Sequence, residues 1–341
     1  MLKAAVIGVG AMGRHHARVY NELDDEAQLV AIADVDEGGA QKLGRRLKVP
    51  VYGDYHEMLD RATPDCVSVA VPTEQHYSVA CELIDRGVHV LIEKPIAATL
   101  DEGRDLIARA ARRGVQLGVG HVERFNCAVL ALKRYLDDGA LGEVYQLHGR
   151  RLSPFPAQVK DVGVVMDLAT HELDIMRYLV GADVEYVFAE LGRKIHAAHE
   201  DMLSCILHFA NGATGVLDIN WLTPTKVRDL RVTGEKGMYV VDYLLQDLYF
   251  YENSHHPSEW DNIALLKGVN EGNQLKIRVD KVEPLRSELL DFVRAAGEGR
   301  SPMVTGQDGL HALALARALL MSGARRQVLP VSAMEAISAG P

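Results

Sequence analysis

The chain has 341 residues, with 37 Lys and Arg against 47 Asp and Glu, a formal net charge of −10. Hydrophobic residues make up 48% and charged residues 25%, ordinary globular usage that excludes wholesale disorder and low-complexity classes. The acidic balance argues against nucleic acid as a partner, no run approaches the roughly 18 apolar residues of a membrane span, and the length suits two domains at roughly 100–200 residues each.

The opening Met1-Leu2-Lys3 before Ala4-Ala5-Val6-Ile7 has the outline of a secretory leader. Gly8 and Gly10 interrupt it and no small-residue cleavage site follows, so a cytoplasmic protein is expected. The first 120 residues alternate strand-like and helix-like patterns. Lys3 to Val9 is a β-branched run, and Met12 to Leu23 has helical apolar spacing. Gln28 to Ala33 reads as a strand and Glu37 to Leu47 as a helix. Cys66 to Val71, Val88 to Ile92 and Val115 to Val119 are further runs of strand length. Between them Gln75 to Arg86 and Leu100 to Arg113 read as helices, the second entered through Thr99 as N-cap. Nearly continuous apolar strands alternating with helices make a parallel sheet covered on both faces. Residues 1–122 therefore form a doubly wound α/β domain.

After about Gly120 the pattern changes. A helix from Cys127 to Leu136 leads to a strand, Glu143 to Leu152, a loop at Ser153-Pro154-Phe155-Pro156, and a helix from Val164 to Leu179. Val184 to Tyr251 reads as successive strands broken by turns such as Asn211-Gly212 and Gly234-Glu235-Lys236-Gly237. The end is helical, Glu288 to Ala296 and Gly309 to Ser322. Residues 123–341 are thus an α+β domain with an open, mostly antiparallel sheet. Apolar strands such as Ala213 to Leu222 suit either subunit contact or internal core.

Four cysteines (Cys66, Cys81, Cys127, Cys205) are scattered with no CxxC pair, which makes disulfides and structural zinc unexpected. His196-x-x-His199 and His255-His256 lack a complete ligand set, so no metal is expected.

Gly8-Val9-Gly10-Ala11-Met12-Gly13 matches G-x-G-x-x-G where a strand ends and a helix opens. Gly8 permits the tight turn, Gly10 lets a pyrophosphate approach the backbone, and Gly13 lets helix and strand pack closely. Asp34 follows 21 residues after Gly13, near the spacing of a ribose-binding acid. Its carboxylate can accept hydrogen bonds from both ribose hydroxyls but would repel a 2′-phosphate, which favours NAD over NADP. Lys42, Arg45 and Arg46 read as a solvated helix face.

Glu93-Lys94-Pro95 follows a strand, which puts Lys94 at the ligand crevice of a doubly wound sheet. Asp167, His171 and Asp174, spaced by four and three, share one polar stripe of a helix. Glu172 falls in the apolar arc of that helix and needs a cation.

Together these motifs, with the strand Val67 to Pro72 followed by Thr73 and His76 and the Gly120 region, resemble the glucose–fructose oxidoreductase/inositol dehydrogenase (Gfo/Idh/MocA) family across essentially the whole chain. The resemblance implies a Rossmann domain and a C-terminal domain whose open sheet packs against another subunit, giving a homodimer or homotetramer. It implies NAD contacts from Gly8, Gly10, Ala11, Met12, Gly13, Asp34, Pro72, Thr73, His76, Glu93 and Lys94. It also implies Lys94 and His171 near the reacting carbon, with Asp167 positioning the substrate hydroxyl. Oxidising a secondary alcohol requires a neutral group to take the hydroxyl proton, which suits His171, while an ammonium at Lys94 steadies the alkoxide. Lys94 as base, its pKa lowered by burial and by the nicotinamide cation, stays open.

Gly120-His121-Val122-Glu123-Arg124-Phe125-Asn126 and Arg150-Arg151-Leu152, running on to Lys160, are similar to the UDP-N-acetylglucosamine 3-dehydrogenase branch of that family. Cys127 departs from the proline expected there. Arg124, Arg150, Arg151 and Lys160 are candidate diphosphate ligands, and Phe125 or Phe155 could stack on uracil, though each also suits the core. Arg150 and Arg151, adjacent on a strand, point to opposite faces, so at most one reaches substrate. A free sugar or inositol-type polyol is the alternative substrate, and a non-enzymatic dinucleotide sensor the alternative function.

Overall fold

The computed structural model describes residues 1–23, 25–156, 162–254 and 270–332. In chain order its elements begin with β1 (Leu2–Ile7), α1 (Gly13–Asn21), β2 (Ala27–Ala33), α2 (Glu37–Leu47), β3 (Val51–Tyr52) and α3 (Tyr55–Ala62). There follow β4 (Cys66–Val69), α4 (Thr73–Asp85), β5 (His89–Glu93), α5 (Leu100–Arg113) and β6 (Leu117–Gly120). Next come α6 (Cys127–Asp137), β7 (Val144–Leu152), α7 (Thr170–Val180), β8 (Val184–Gly192), β9 (Met202–Phe209) and β10 (Thr214–Asn220). The last are β11 (Val227–Gly234), β12 (Gly237–Asp242), β13 (Asp247–Ser254), β14 (Asn270–Ile277), α8 (Pro284–Glu298), α9 (Gly306–Arg325) and β15 (Leu329–Pro330). Thr99 caps α5 as expected: its hydroxyl accepts the Glu102 N–H at 3.2 Å, and the Glu102 carboxylate accepts the Thr99 N–H at 2.9 Å.

Two compact units result, Met1–Phe125 with Glu283–Ala314, and Asn126–Val282 with Leu315–Pro341. The first carries a parallel sheet in the order β3-β2-β1-β4-β5-β6, the doubly wound arrangement. Its central strands are buried on both faces, as at Ala4, Ala5 and Val6. The division differs from a single cut at residue 122: the late segment belongs to the first unit. Leu285, Leu289, Phe292 and Val293 form one helical stripe on α8, and it shares a core with Ala17, Tyr20 and Leu23 of the α1 region. That apolar stripe, not position in the chain, decides the grouping.

The second unit carries a sheet in the order β14-β13-β12-β11-β7-β10-β9-β8-β15. Its pairings are antiparallel apart from β7 with β10, which run parallel. Burial alternates along β9, with Leu203, Cys205 and Leu207 inside and Ser204 and Ile206 outside. One face therefore makes the core. The outer face keeps a cross-strand row of Phe188, Ile206, Val216, His148 and Arg231.

Candidate active site

The glycine loop leaves β1 and enters α1 with each glycine doing separate work. Gly8 has φ +82°, and a Cβ there would lie 2.6 Å from the Ala70 carbonyl oxygen. A Cβ on Gly13 would lie 1.8 Å from the Gly8 carbonyl oxygen. A Cβ on Gly10 would meet nothing within 4 Å, so the outer side of the loop is open. Ala11 and Met12 are exposed beside it. Asp34, just past β2, is fixed by the glycine loop and by its own turn: Oδ2 accepts the Val9 N–H at 2.6 Å and Oδ1 the Asp36 N–H at 2.8 Å. Each carboxylate oxygen keeps a lone pair for a ribose hydroxyl. Gly8, Gly10, Asp34, Val35, Tyr55 and Pro72 are among the residues around a cavity of about 280 Å³. An open glycine cradle with an acceptor at the second strand end fits a dinucleotide.

A second hollow, also about 280 Å³, lies beside Val9 and is lined by Arg14, Gly39, Lys42, Leu43 and Arg46. Lys42 and Arg46 are exposed, as a solvated face requires, but they share this hollow with Arg14 next to the glycine loop.

Pro72 precedes α4 and Thr73 opens it. His76 is 1% exposed, with Nδ1 2.8 Å from the Pro95 carbonyl and Nε2 2.9 Å from the Val71 carbonyl. Each ring nitrogen thus faces a backbone carbonyl, and the side chain ties the loop after β4 to the turn after β5. Burial pushes its pKa down, opposed by those two carbonyls.

β5 ends in Glu93, and Lys94 follows, half-buried, before a cis peptide bond to Pro95. The Glu93 carboxylate lies 2.8 Å from Nε2 of His16, a residue of α1 with no solvent exposure. It also accepts the Lys94 N–H at 3.3 Å. Gly120 at the end of β6 makes room for it, since a Cβ there would stand 3.0 Å from Glu93 Oε2. Burial would raise the Glu93 pKa, but the His16 hydrogen bond and the neighbouring Lys94 hold it below the usual carboxylate range.

In the second unit Asp167 and His171 are both half-buried, but not on one regular α-helix. Val165–Ala169 is a π-helical turn that runs into α7. The wider turn breaks the spacing of four and three, and Asp174, expected on the polar stripe, is only 3% exposed. The entry to this helix is tied down by Glu200, whose Oε1 accepts the Val165 N–H at 3.0 Å and whose carbonyl accepts the Val164 N–H at 3.0 Å. Asp201 beside it is fully buried and accepts N–H groups from Lys194 at 2.9 Å, Ile195 at 2.5 Å and His196 at 2.9 Å. Burial pushes the Asp201 carboxyl up, and these donors bring it below its ordinary value. Sequence reasoning weighed this loop only for metal ligands at His196 and His199 and missed Glu200 and Asp201, although an acid after His-x-x-His-Glu was a visible turn signal.

The four cations read as diphosphate ligands are not a free cluster. Arg124 is 4% exposed and its guanidinium lies 3.0 Å from Asp308. Arg151 is 4% exposed and lies 3.0 Å from Glu172, so the cation that Glu172 needed is this one. Tyr243 donates its hydroxyl to the other Glu172 oxygen at 3.0 Å. Both arginines are interior side chains already ion-paired to a carboxylate of the protein. Arg150 keeps more exposure but forks onto Asp229, Nε donating to Oδ1 at 3.0 Å and Nη2 to Oδ2. Lys160 lies outside the described residues. Phe125 is core at 3% exposure, and Phe155 is half-buried, edge-on to Trp221 with ring centroids 5.9 Å apart.

His196 turns its Nδ1 to the Ala198 and His199 N–H groups at 3.1 and 2.9 Å, while His255 and His256 lie outside the described residues. Among the described residues no three His, Cys, Asp or Glu side chains gather as metal ligands, and no helix is long and apolar enough to cross a membrane. Cys66 and Cys205 are buried thiols, pushed up to about 12 by desolvation.

Two family models match the chain: the oxidoreductase family with an NAD-binding Rossmann fold over residues 2–121, and the GFO/IDH/MocA C-terminal domain over residues 129–240. UDP-N-acetylglucosamine 3-dehydrogenase of Acidithiobacillus ferrooxidans is 29% identical over 315 residues, 92% of this chain and 95% of that protein. Myo-inositol 2-dehydrogenase of Thermotoga maritima is 27% identical over 330 residues, 92% and 94% of the two chains. A solved structure of the A. ferrooxidans enzyme superposes with a TM-score of 0.83 at 28% identity, covering 94% of this chain and 97% of that one. Levoglucosan dehydrogenase in complex with NADH, at 22% identity and a TM-score of 0.85, shares the fold. With NAD-binding and C-terminal models matched in order and dehydrogenases as full-length relatives, the sensor alternative falls away, and the chain belongs to the Gfo/Idh/MocA family of NAD-dependent oxidoreductases.

Proposed function

We propose that this oxidoreductase removes hydrogen from a secondary ring hydroxyl, the 3-hydroxyl of a UDP-N-acetylhexosamine, to give a 3-keto nucleotide sugar. The observation that carries the substrate class is the likeness to the A. ferrooxidans enzyme over nearly the whole of both chains. When bound, NAD supplies the acceptor for the carbinol hydrogen. The glycine loop and Asp34 would hold the dinucleotide, with Pro72 and Thr73 as further contacts. His171 takes the hydroxyl proton, Asp167 orients that hydroxyl, and the Lys94 ammonium steadies the alkoxide oxygen. Lys94 and His171 are each half-buried, neither sealed off nor fully hydrated, as a proton-handling group requires.

A second reading, an uncharged sugar or inositol-type polyol, is favoured by one specific observation. Arg124, Arg150 and Arg151 are already ion-paired, which leaves fewer cations for a diphosphate. Thermal stabilisation separates the two, since a ligand that binds only the folded state raises the melting temperature. UDP-N-acetylglucosamine should stabilise the NAD-bound protein more than N-acetylglucosamine or myo-inositol does. Stabilisation by the free polyols alone would overturn the nucleotide-sugar reading.

The outer sheet face, with Tyr186 41% and Ile206 51% exposed, is the surface we assign to a second copy of this chain. Light scattering should return a dimer or tetramer, and Ile206→Lys should shift it toward monomer.

A further inference from the structure

His16 is a buried histidine that the chemistry above does not use. It sits one turn into α1, directly after the glycine loop, and among the described residues its imidazole has one polar contact, the Glu93 carboxylate at 2.8 Å. Its Nδ1 is buried with no hydrogen-bond partner among the described residues. Nothing else in its packing calls for an imidazole. A hydrocarbon would satisfy the core of α1 better, because an unpartnered polar atom in the interior costs stability. What an imidazole adds is a donor aimed at one carboxylate.

That carboxylate stands where charge matters most. Glu93 ends β5, and the next residue is Lys94. Its surroundings are His16 from α1, the Lys94 N–H from its own turn, the Cα of Gly120 from β6 with buried His121 one residue on, and the electrostatic reach of His76 from α4. The dinucleotide changes charge only at one place when it is reduced: the oxidised ring is a cation and the reduced ring is neutral. A fixed anion beside that ring binds the oxidised form more tightly.

We propose that His16 is a positioning residue of the cofactor site, acting through Glu93 to keep a negative charge at the reacting end of the dinucleotide and so favour the oxidised cofactor. The proposal rests on the reading above that the nicotinamide lies by Glu93 and Lys94. It links two ends of the cofactor site through one side chain, since the helix that receives the pyrophosphate also carries the donor to Glu93. The lowered Glu93 pKa agrees with it, burial being overcome by the His16 contact and Lys94.

The test is a binding titration of NAD+ and of NADH between pH 5 and pH 8, with no sugar present. The wild-type protein should prefer NAD+ to a similar degree across that range. Glu93→Gln should lower the NAD+ to NADH preference about tenfold at every pH. His16→Leu should match wild type near pH 8 and lose the preference progressively as pH falls, because an undonated buried carboxyl takes up a proton at higher pH. His16→Gln, which keeps an N–H donor, should restore the wild-type profile. If melting shows His16→Leu unfolded, His16→Met fills the space and carries the comparison. Equal weakening of both cofactors with no pH dependence would mean a packing role only and would overturn the proposal. A His16→Leu profile identical to wild type, with Glu93→Gln altered, would overturn it and leave the siting of the nicotinamide standing. If Glu93→Gln binds like wild type, the siting of the ring fails and the proposal falls with it.

Discussion

The guanidinium of Arg151 stands 3.0 Å from the carboxylate of Glu172, with both side chains out of solvent. The pair joins β7 to α7 one residue from His171, and Tyr243 closes it from the turn after β12. Removing one partner strands the other charge. Arg151→Met should cost about 3–5 kcal/mol in urea denaturation, while Arg151→Met with Glu172→Leu should recover much of that loss. A single variant as stable as wild type would show that the pair is not a buried charge couple.

The glycines separate folding from binding. Gly10→Ala projects into open space, so its melting temperature should stay within a few degrees of wild type while NAD+ affinity falls at least about tenfold. Gly13→Ala drives a methyl into the Gly8 carbonyl and should destabilise the fold by about 3 kcal/mol or more. Thermal melts and NADH fluorescence titrations on the same samples check both.

Asp34 holds the loop and, in the function proposed above, accepts from the ribose hydroxyls. Asp34→Ser should weaken NAD+ about tenfold or more and at the same time admit NADP+, since Arg14, Lys42 and Arg46 line the adjoining hollow. The ratio of kcat/KM values for the two cofactors is the readout, and continued rejection of NADP+ would exclude that hollow as a phosphate seat.

Asp308 gives a pH signature. Burial opposes ionisation, but the Arg124 charge and hydrogen bond, with Thr305, bring its pKa down to about 2. Its folded value lies below the unfolded one, so the stabilisation is complete above about pH 4 and is lost as pH falls toward 2, at most about 2–3 kcal/mol. The difference in unfolding free energy between wild type and Asp308→Asn should therefore shrink on acidification through that window. A difference that stays constant would refute the coupling.

Lys94→Ala and His171→Ala should each lower kcat by about 10²–10⁴ while NADH binding changes little, as measured by steady-state rates beside direct titration. Rates close to wild type would remove either residue from the chemistry.

Local signals were legible and distant ones were not. Thr99 with Glu102, the G-x-G-x-x-G turn and the opposite faces of Arg150 and Arg151 follow from contacts within a few residues, and each is found in the fold. Glu172 was visibly misplaced in an apolar arc, but its partner lies 21 residues away, beyond any helical periodicity. The parallel pairing of β7 with β10 and the return of α8 are likewise decided by which surfaces meet in three dimensions. α3 was missed although Asp54 caps it, because an eight-residue helix carries only two fully buried side chains, Met58 and Leu59. The π-turn at Val165–Ala169 hides in a sequence whose apolar spacing looks α-helical.

The re-entry of Glu283–Ala314 into the first unit orders events at the ribosome. The glycine-loop lobe is translated first, yet it completes its interior only after residues 126–282 of the second unit have been made. Until then Ala17, Tyr20 and Leu23 present an uncovered greasy strip, so the nascent chain is at its most chaperone-dependent midway through synthesis.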